Sequence, residues 1–417
     1  MTKIMNFINF EEAKKIKWDI EVEKVPESVV EIIDKVKNEG DSAVIFYSQK
    51  YDEYKRDNIR VSDDEIKKAY EKVSLGELSA LKSSARNIEK YARKQMSLIK
   101  GMNIEIDNVK LGYKIIPIQR VGCCVPGGVY PLPSSALMSV IPAKIAGVKE
   151  IIVCSPKIKP ITVVAAHLAG ADEIYGIGGV QAVAAMAYGT ETIKKVNKIV
   201  GPGNDFVAAA KKEVHGRIGI DFIAGPSEVL IIADKTANPR YIAADLLAQA
   251  EHDKKARANV IILSEKLEEK IQKEIEKQLE KLETRKIAGE SISKGNIILV
   301  KNLEQAIELS EIIAPEHLEL QIKNAEENAD KFTNYGSLFI GEYSAEVFGD
   351  YCSGTNHILP TGGSAKYTSG VSVFDFIKRP TYQIVKKQSL PKLIDTASKM
   401  AKAEGMFGHK NAADVRR

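Results

Sequence analysis

The chain is poor in cysteine: four in 417 residues, Cys123, Cys124, Cys154 and Cys352. None forms C-x-x-C, and an adjacent pair makes a poor disulfide. A disulfide framework is therefore excluded, and a reducing, cytoplasmic setting is expected. No run of 18 apolar residues occurs, which excludes a membrane-spanning helix, and the opening "MTKIMNFINFEEAKK" lacks the long apolar stretch of a secretion signal. An excess of one charge is missing too. Sixty basic and 56 acidic side chains leave +4, which favours neither nucleic acid nor a membrane surface but suits an anionic cofactor. There is no G-x-G-x-x-G fingerprint, no internal repeat and no low-complexity linker.

What is present is a globular composition, 44% hydrophobic, at a length that suggests two or three domains. Residues 1–100 read as helices, one of them opened by a Ser62–Glu65 capping box. From about 112 short apolar runs alternate with helical ones. "YKIIPIQRVGCCV", "EIIVCSP", "EIYGIGG" and "VNKIVGPGN" read as strands, as do "SEVLIIAD", "NVIILS", "GNIILVKN" and "YGSLFIGE". Such alternation predicts parallel sheet with helices on its faces, and Gly-rich strand-to-helix turns are where such sheets take ligands. The charged run 265–286 keeps one face of Ile and Leu and reads as an outer helix. After 375 the sequence reads as helical to its end.

Six histidines occur. His167 lies in an apolar helix and His215 near a helix end, both structural in character. The other four sit in richer surroundings. In "DLLAQAEHDK" (245–254), Gln249 and His252 are spaced i, i+3 on a helix patterned by Ile242, Leu246, Leu247 and Ala250. They are either a solvated pair or ligands. "APEHLEL" (314–320) sets Glu316 beside His317 at what reads as a helix start: a capped terminus, or two residues serving separate proton transfers. "GDYCSGTNHILPTGG" (349–363) carries Asp350 and His357 in a Gly/Ser/Thr-rich loop, and "AEGMFGHKNA" (403–412) carries Glu404 and His409. One Asp, one Gln and two His would suit Zn²⁺. In "GPGN" (201–204), Asn204 is either a helix N-cap or a cofactor contact.

The segments "GPGN", "GPSE", "LLAQAEH", "APEHLEL" and "GDYCSGTNHILPT", in this order across nearly the whole chain, resemble histidinol dehydrogenase. The resemblance implies Gln249, His252, Asp350 and His409 as zinc ligands, and Glu316 and His317 as the acid–base pair. It implies that Ser227, His357 and Glu404, with the zinc ligands and His317, surround the substrate, and that Gln181 and Asn204 contact NAD. It further implies a homodimer whose C-terminal segment is shared between chains. The family usually carries Tyr directly before "VPGG", where this chain has Cys124; Tyr130 is the nearest aromatic that could compensate.

The fold expected is α/β and aldehyde-dehydrogenase-like, with two main Rossmann-like domains, a helical N-terminal region and a helical C-terminal extension. Residues 1–20 would form an N-terminal segment, 21–123 with 229–375 the main domain, 124–228 an inserted NAD-contacting domain, and 376–417 the extension. The activity implied is oxidation of L-histidinol to L-histidine through the aldehyde with two NAD⁺, in histidine biosynthesis. Two other readings are a related zinc- and NAD-dependent dehydrogenase of another polar alcohol, such as a sulfonated diol, and a metal-dependent hydrolase using Glu316.

Overall fold

Two parallel sheets organise the chain in the computed structural model, which describes residues 4–18, 25–56, 58–127 and 130–417. Parts of the 1–20 segment, the start of the 21–123 stretch and Gly128 of "VPGG" lie outside the described residues. The larger sheet runs, edge to edge, Asn6–Asn9, Asn296–Leu299, Arg257–Ile262, Glu228–Ala233, His317–Gln321 and Ser337–Ile340. The smaller runs Glu173–Tyr175, Glu150–Cys154, Arg120–Cys124, Lys198–Val200 and Gly219–Ile220.

The central strands are apolar on both faces, as parallel strands covered by helices must be. In Glu228–Ala233, Val229 and Ile231 join the layer of Ile242 and Leu246, while Leu230 and Ile232 join that of Leu309 and Leu318. The charged helix Lys266–Leu279 buries Leu267, Ile271 and Ile275 and leaves its acidic and basic residues outside, as its pattern predicts.

Four departures from the sequence reading have physical causes. Asn6–Asn9 is a strand and pairs with Asn296–Leu299; four residues carry too little pattern to reveal it. The helices Glu27–Glu39, Asp41–Asp52, Asp63–Lys72 and Leu75–Ser97 cover the smaller sheet. Val29, Ile33 and Val44 share a core with Ile152 and Val183, and Leu81 and Ile88 share one with Val121 and Val153. By packing, then, this part of 21–123 groups with the inserted segment, whose sheet already includes Arg120–Cys124. "YKIIPIQRVGCCV" is three separate strands. Past 375, Thr381–Val385 pairs antiparallel with Val109–Tyr113 before helices Leu390–Ala403 and Phe407–Asp414 end the chain. The Ser62–Glu65 capping box is formed.

Among the described residues no helix is long and apolar enough to cross a membrane. All four thiols are free; Cys123, Cys124 and Cys154 are buried and Cys352 is exposed. Burial pushes the Cys123 and Cys124 thiols up to about 12. The two sheets meet at a pocket. The larger sheet contributes the entry ends of its strands (Ser227, Glu316, His317), and the smaller contributes residues just past its strands' exit ends (Leu132, Ser135, Pro202, Gly203).

Candidate active site

Helix Pro239–Ala250 starts from an Asn238 cap with Pro239 in its first turn, and buries Ile242, Leu246, Leu247 and Ala250. Gln249, in its last turn, is completely buried. His252 falls beyond the helix, after the Glu251 cap, and its backbone N–H donates to Gln249 O at 3.3 Å. The pair therefore shares a turn at the helix exit, where a helical continuation was expected.

"APEHLEL" is a strand entrance, not a helix start. Ala314 takes a left-handed conformation (φ 49°) that closes helix Leu303–Ile313, and the strand His317–Gln321 begins three residues later. Strand alternation then sorts the residues. Leu318 and Leu320 enter the core, while His317, Glu319 and Gln321 form a polar row that is also buried. A short helix, Glu346–Tyr351, brings Glu346 and Asp350 to His317.

The pocket is lined by Ser227, His252, Glu316, His317, Asp350 and His357 among others, with a volume of about 130 Å³. That suits a small metabolite, since drug-sized ligands occupy roughly 300 Å³ or more. The ring of His317 has carboxylates on three sides: Glu316 at 3.8 Å and Glu346 at 3.6 Å from Nδ1, and Asp350 at 3.6 Å from Nε2. None is close enough for a good hydrogen bond. Nδ1 instead meets the carbonyl of Glu228 at 3.2 Å, which requires the proton on that nitrogen. Nε2 is buried without a hydrogen-bond partner, so in the neutral imidazole it offers a lone pair beside the pocket.

Burial works against charge on every one of these groups. It pushes Glu316 up to about 8 and Glu228 up to about 7, and holds Glu346 well above the usual carboxylate range. For His317 burial lowers the pKa, but Glu346, Glu316 and Asp350 together outweigh it and hold the imidazole well above its ordinary value. Asp350 is held low in spite of burial, mainly by His317. His252 is drawn down by desolvation, with Asp350 opposing. This much buried acid around one imidazole is the surroundings of a cation.

Several expected residues stand elsewhere. Glu404, in the turn after helix Leu390–Ala403, and His409, on helix Phe407–Asp414, are exposed, and neither lines the pocket. Asn204 caps helix Asp205–Val214, its side chain accepting from Val207 N at 3.1 Å, beside the pocket-lining Gly203. Gln181 is buried in helix Gly179–Tyr188 and donates to Asp52 Oδ2 at 3.0 Å. Cys124 points into the core of Ile152, Cys154 and Ile199, as one of its members. His357 is engaged at both nitrogens: Nδ1 donates to the Asp350 carbonyl at 3.0 Å, and Nε2 accepts from Ser135 at 3.1 Å.

The sequence reading missed Glu346, Glu228 and Ser135. Glu346 precedes Asp350 by four residues, the i, i+4 spacing of one helix face. The Gln249 amide satisfies its surroundings with its nitrogen toward Glu346 Oε1, 2.9 Å away, which turns its oxygen elsewhere. Glu228 has its backbone N–H bonded to Glu316 Oε2 at 2.9 Å, so "GPSE" and "APEH" are one unit. Ser135 had no signal beyond its place after "VPGG".

Comparison with known proteins agrees with this geometry. The family model for histidinol dehydrogenase matches residues 16–417. Histidinol dehydrogenase of Methanocaldococcus jannaschii is 45% identical over 395 residues, covering 94% of this chain and 92% of its own. That of Streptococcus mutans is 46% identical over 420 residues, covering 99% and 97%. The crystal structure of histidinol dehydrogenase from Elizabethkingia anophelis superposes with a TM-score of 0.94 at 41% identity, covering 100% of this chain and 98% of that one. With the five motifs in register and their residues converging on one pocket, the chain belongs to the histidinol dehydrogenase family.

Proposed function

We propose that the protein oxidises L-histidinol to L-histidine by way of L-histidinal, reducing two NAD⁺, with zinc in its pocket. The observation that carries this is the convergence of Ser227, His252, Glu316, His317, Asp350 and His357 on one small cavity between the sheets. Alcohol to acid is a four-electron change, so two hydrides leave in succession and NAD⁺ takes them. Each oxidation also needs a base, and the second needs water.

The chain's donors fit zinc. His252, Glu346 and Asp350 present ligand atoms within 4.8 Å of one another, and the completely buried Gln249 amide lies against Glu346. A nitrogen-and-oxygen set of this kind suits a borderline divalent ion. Gln249, His252 and Asp350 would hold it, with His409 of the partner subunit as the fourth ligand and Glu404 beside it. Glu346 would orient the Gln249 amide. Zinc supplies fixed positive charge that binds the substrate's nitrogens and polarises the reacting centre.

The remaining work belongs to the protein's own groups. With its Nδ1 proton tied to the Glu228 carbonyl, His317 takes the substrate hydroxyl proton at Nε2. A divalent ion held by Asp350 would offset the carboxylates around His317 and so would favour the neutral imidazole a base requires. Glu316, held at Oε2 by the Glu228 N–H, removes a proton from water as it attacks the aldehyde. Ser227 and His357 contact the substrate's polar ends. For NAD⁺ the support is topological. The smaller sheet reverses its strand order between Arg120–Cys124 and Lys198–Val200, and the crevice past those exit ends is the ordinary place for a dinucleotide. Asn204 and Gln181 are the proposed contacts. Four free thiols suit a cytoplasmic home.

The direct test is NADH absorbance on mixing protein, histidinol and NAD⁺: two NADH per histidinol are expected, and none would refute the assignment. Chelation is expected to abolish turnover and leave far-UV circular dichroism nearly unchanged, because the helix that ends in Gln249 is fixed by an apolar core that needs no ion. Full turnover in protein verified as metal-free would remove zinc from the reaction.

The raised carboxyl of Glu316 gives two pH predictions of opposite sign. As a base it must be ionised, so kcat/KM for histidinal is expected to rise with pH through about 8, and the limb is expected to vanish in Glu316→Gln. For stability, a pKa raised on folding favours the fold at low pH. Metal-free protein is therefore expected to lose stability as pH climbs from the ordinary value of 4.5 through about 8. Melting temperatures of metal-free protein across that range, flat or rising, would contradict the burial assigned to this group.

A further inference from the structure

Beneath the pocket lies a group of acids for which the reaction has no use. Asp245 stands one helical turn before Gln249, and Glu319 follows His317 on the same face of its strand. Both are buried, and desolvation raises the pKa of each carboxyl group. Two buried carboxyl groups held against one amide disfavour double ionisation, so the pair keeps a proton. Gln321, next in the polar row, donates its one amide nitrogen to both: to Asp245 Oδ2 at 3.0 Å and to Glu319 Oε2 at 3.0 Å. The second oxygen of Glu319 accepts the backbone N–H of Glu346 at 3.0 Å.

That last bond matters because helix Glu346–Tyr351 has six residues and Ala345 at its cap position, with no side-chain cap of its own. So short a helix has little stability alone. Glu319 closes its first turn from a neighbouring strand. Three elements thereby meet at one carboxyl pair: the helix that ends in Gln249, the strand that begins with His317, and the helix that carries Asp350.

We propose that Asp245 and Glu319, tied together through Gln321, are positioning residues that set the spacing of the metal-binding and base groups. The inference rests on the zinc reading above. The groups that act on the pair are the Gln321 amide from its own strand, the Glu346 backbone N–H from the short helix, and His317 at the strand's entry. Among the described residues no lysine or arginine pairs with either carboxyl group, so the retained proton offsets their charge. Groups that orient ligands in this way typically govern metal affinity by 10- to 100-fold.

The test compares variants that keep the hydrogen bonds with variants that do not. Asp245→Asn and Glu319→Gln each retain a donor–acceptor pair, whereas Asp245→Leu and Glu319→Leu remove it. Zinc affinity is read by competition with a chromophoric chelator, alongside the melting temperature and the KM and kcat for histidinol. The amide variants are expected to hold zinc within about threefold of wild type, and the leucine variants about 10- to 100-fold less tightly. The infrared difference between wild type and Asp245→Asn is expected to contain the carbonyl stretch of a buried protonated carboxyl.

If a leucine variant does not fold, the other leucine variant and the infrared band still decide. Folded leucine variants that bind zinc like wild type would overturn the proposal. So would amide variants as damaged as the leucine ones, or absence of the band. Wild-type protein that takes up no zinc would instead overturn the zinc reading itself.

Discussion

In Glu316→Gln protein, histidinol oxidation is expected to stop at the aldehyde. The substitution keeps the shape of the site, because an amide oxygen still accepts the Glu228 N–H that now holds Glu316 Oε2 at 2.9 Å. What it loses is a group able to accept a proton from water. Loss of a general base costs about 10²–10⁴-fold, and here that loss falls on the second oxidation alone. His317→Asn is expected to impair both oxidations by a similar factor, since Nε2 faces the pocket with no other partner and no neighbouring group replaces its lone pair. The measurement is NADH release from histidinol and from histidinal, assayed separately for each variant. Equal losses on the two substrates in Glu316→Gln would show that Glu316 serves some step common to both.

A mixture of two nearly inactive proteins is expected to recover activity. His252 lies at the pocket, while His409 is exposed on a helix pair that does not line it. A site using both is complete only if the extension crosses to a second chain. His252→Ala and His409→Ala are each expected to lose nearly all turnover. After unfolding and refolding together, random pairing makes about half the dimers mixed. In each mixed dimer one site collects both lesions and the other is wild type, so about a quarter of all sites are expected to recover. Activity that stays at the level of the separate variants, with mixed dimers demonstrated, would place each site within one chain.

Legibility in this sequence followed local pattern. "SEVLIIAD" and "EIIVCSP" announced buried strands because parallel strands covered on both faces need unbroken apolar runs. "APEHLEL" hid its strand because His317, Glu319 and Gln321 face other buried polar groups, so the usual outward polar face is absent. The assignment of helices 27–97 to a sheet was beyond reach, since an apolar stripe says that a helix is covered but not by what. Glu346 was unreadable for a related reason: its role depends on Gln249, 97 positions away, and no local period joins them. Glu404 and His409 stood out by residue type, but their individual roles came only through the family resemblance.

The burial of three thiols leaves the chain with a single chemical handle. Cys123, Cys124 and Cys154 are inaccessible to a reagent, and the first two hold their protons up to about 12, so their nucleophilic form is scarce at neutral pH. Cys352 is exposed, two residues past Asp350, with its backbone carbonyl anchored by Asn87 Nδ2 at 2.8 Å. A maleimide dye added to the native protein therefore attaches at one place, next in the chain to the pocket-lining Tyr351. No cysteine has to be removed or introduced for fluorescence to follow ligands entering and leaving.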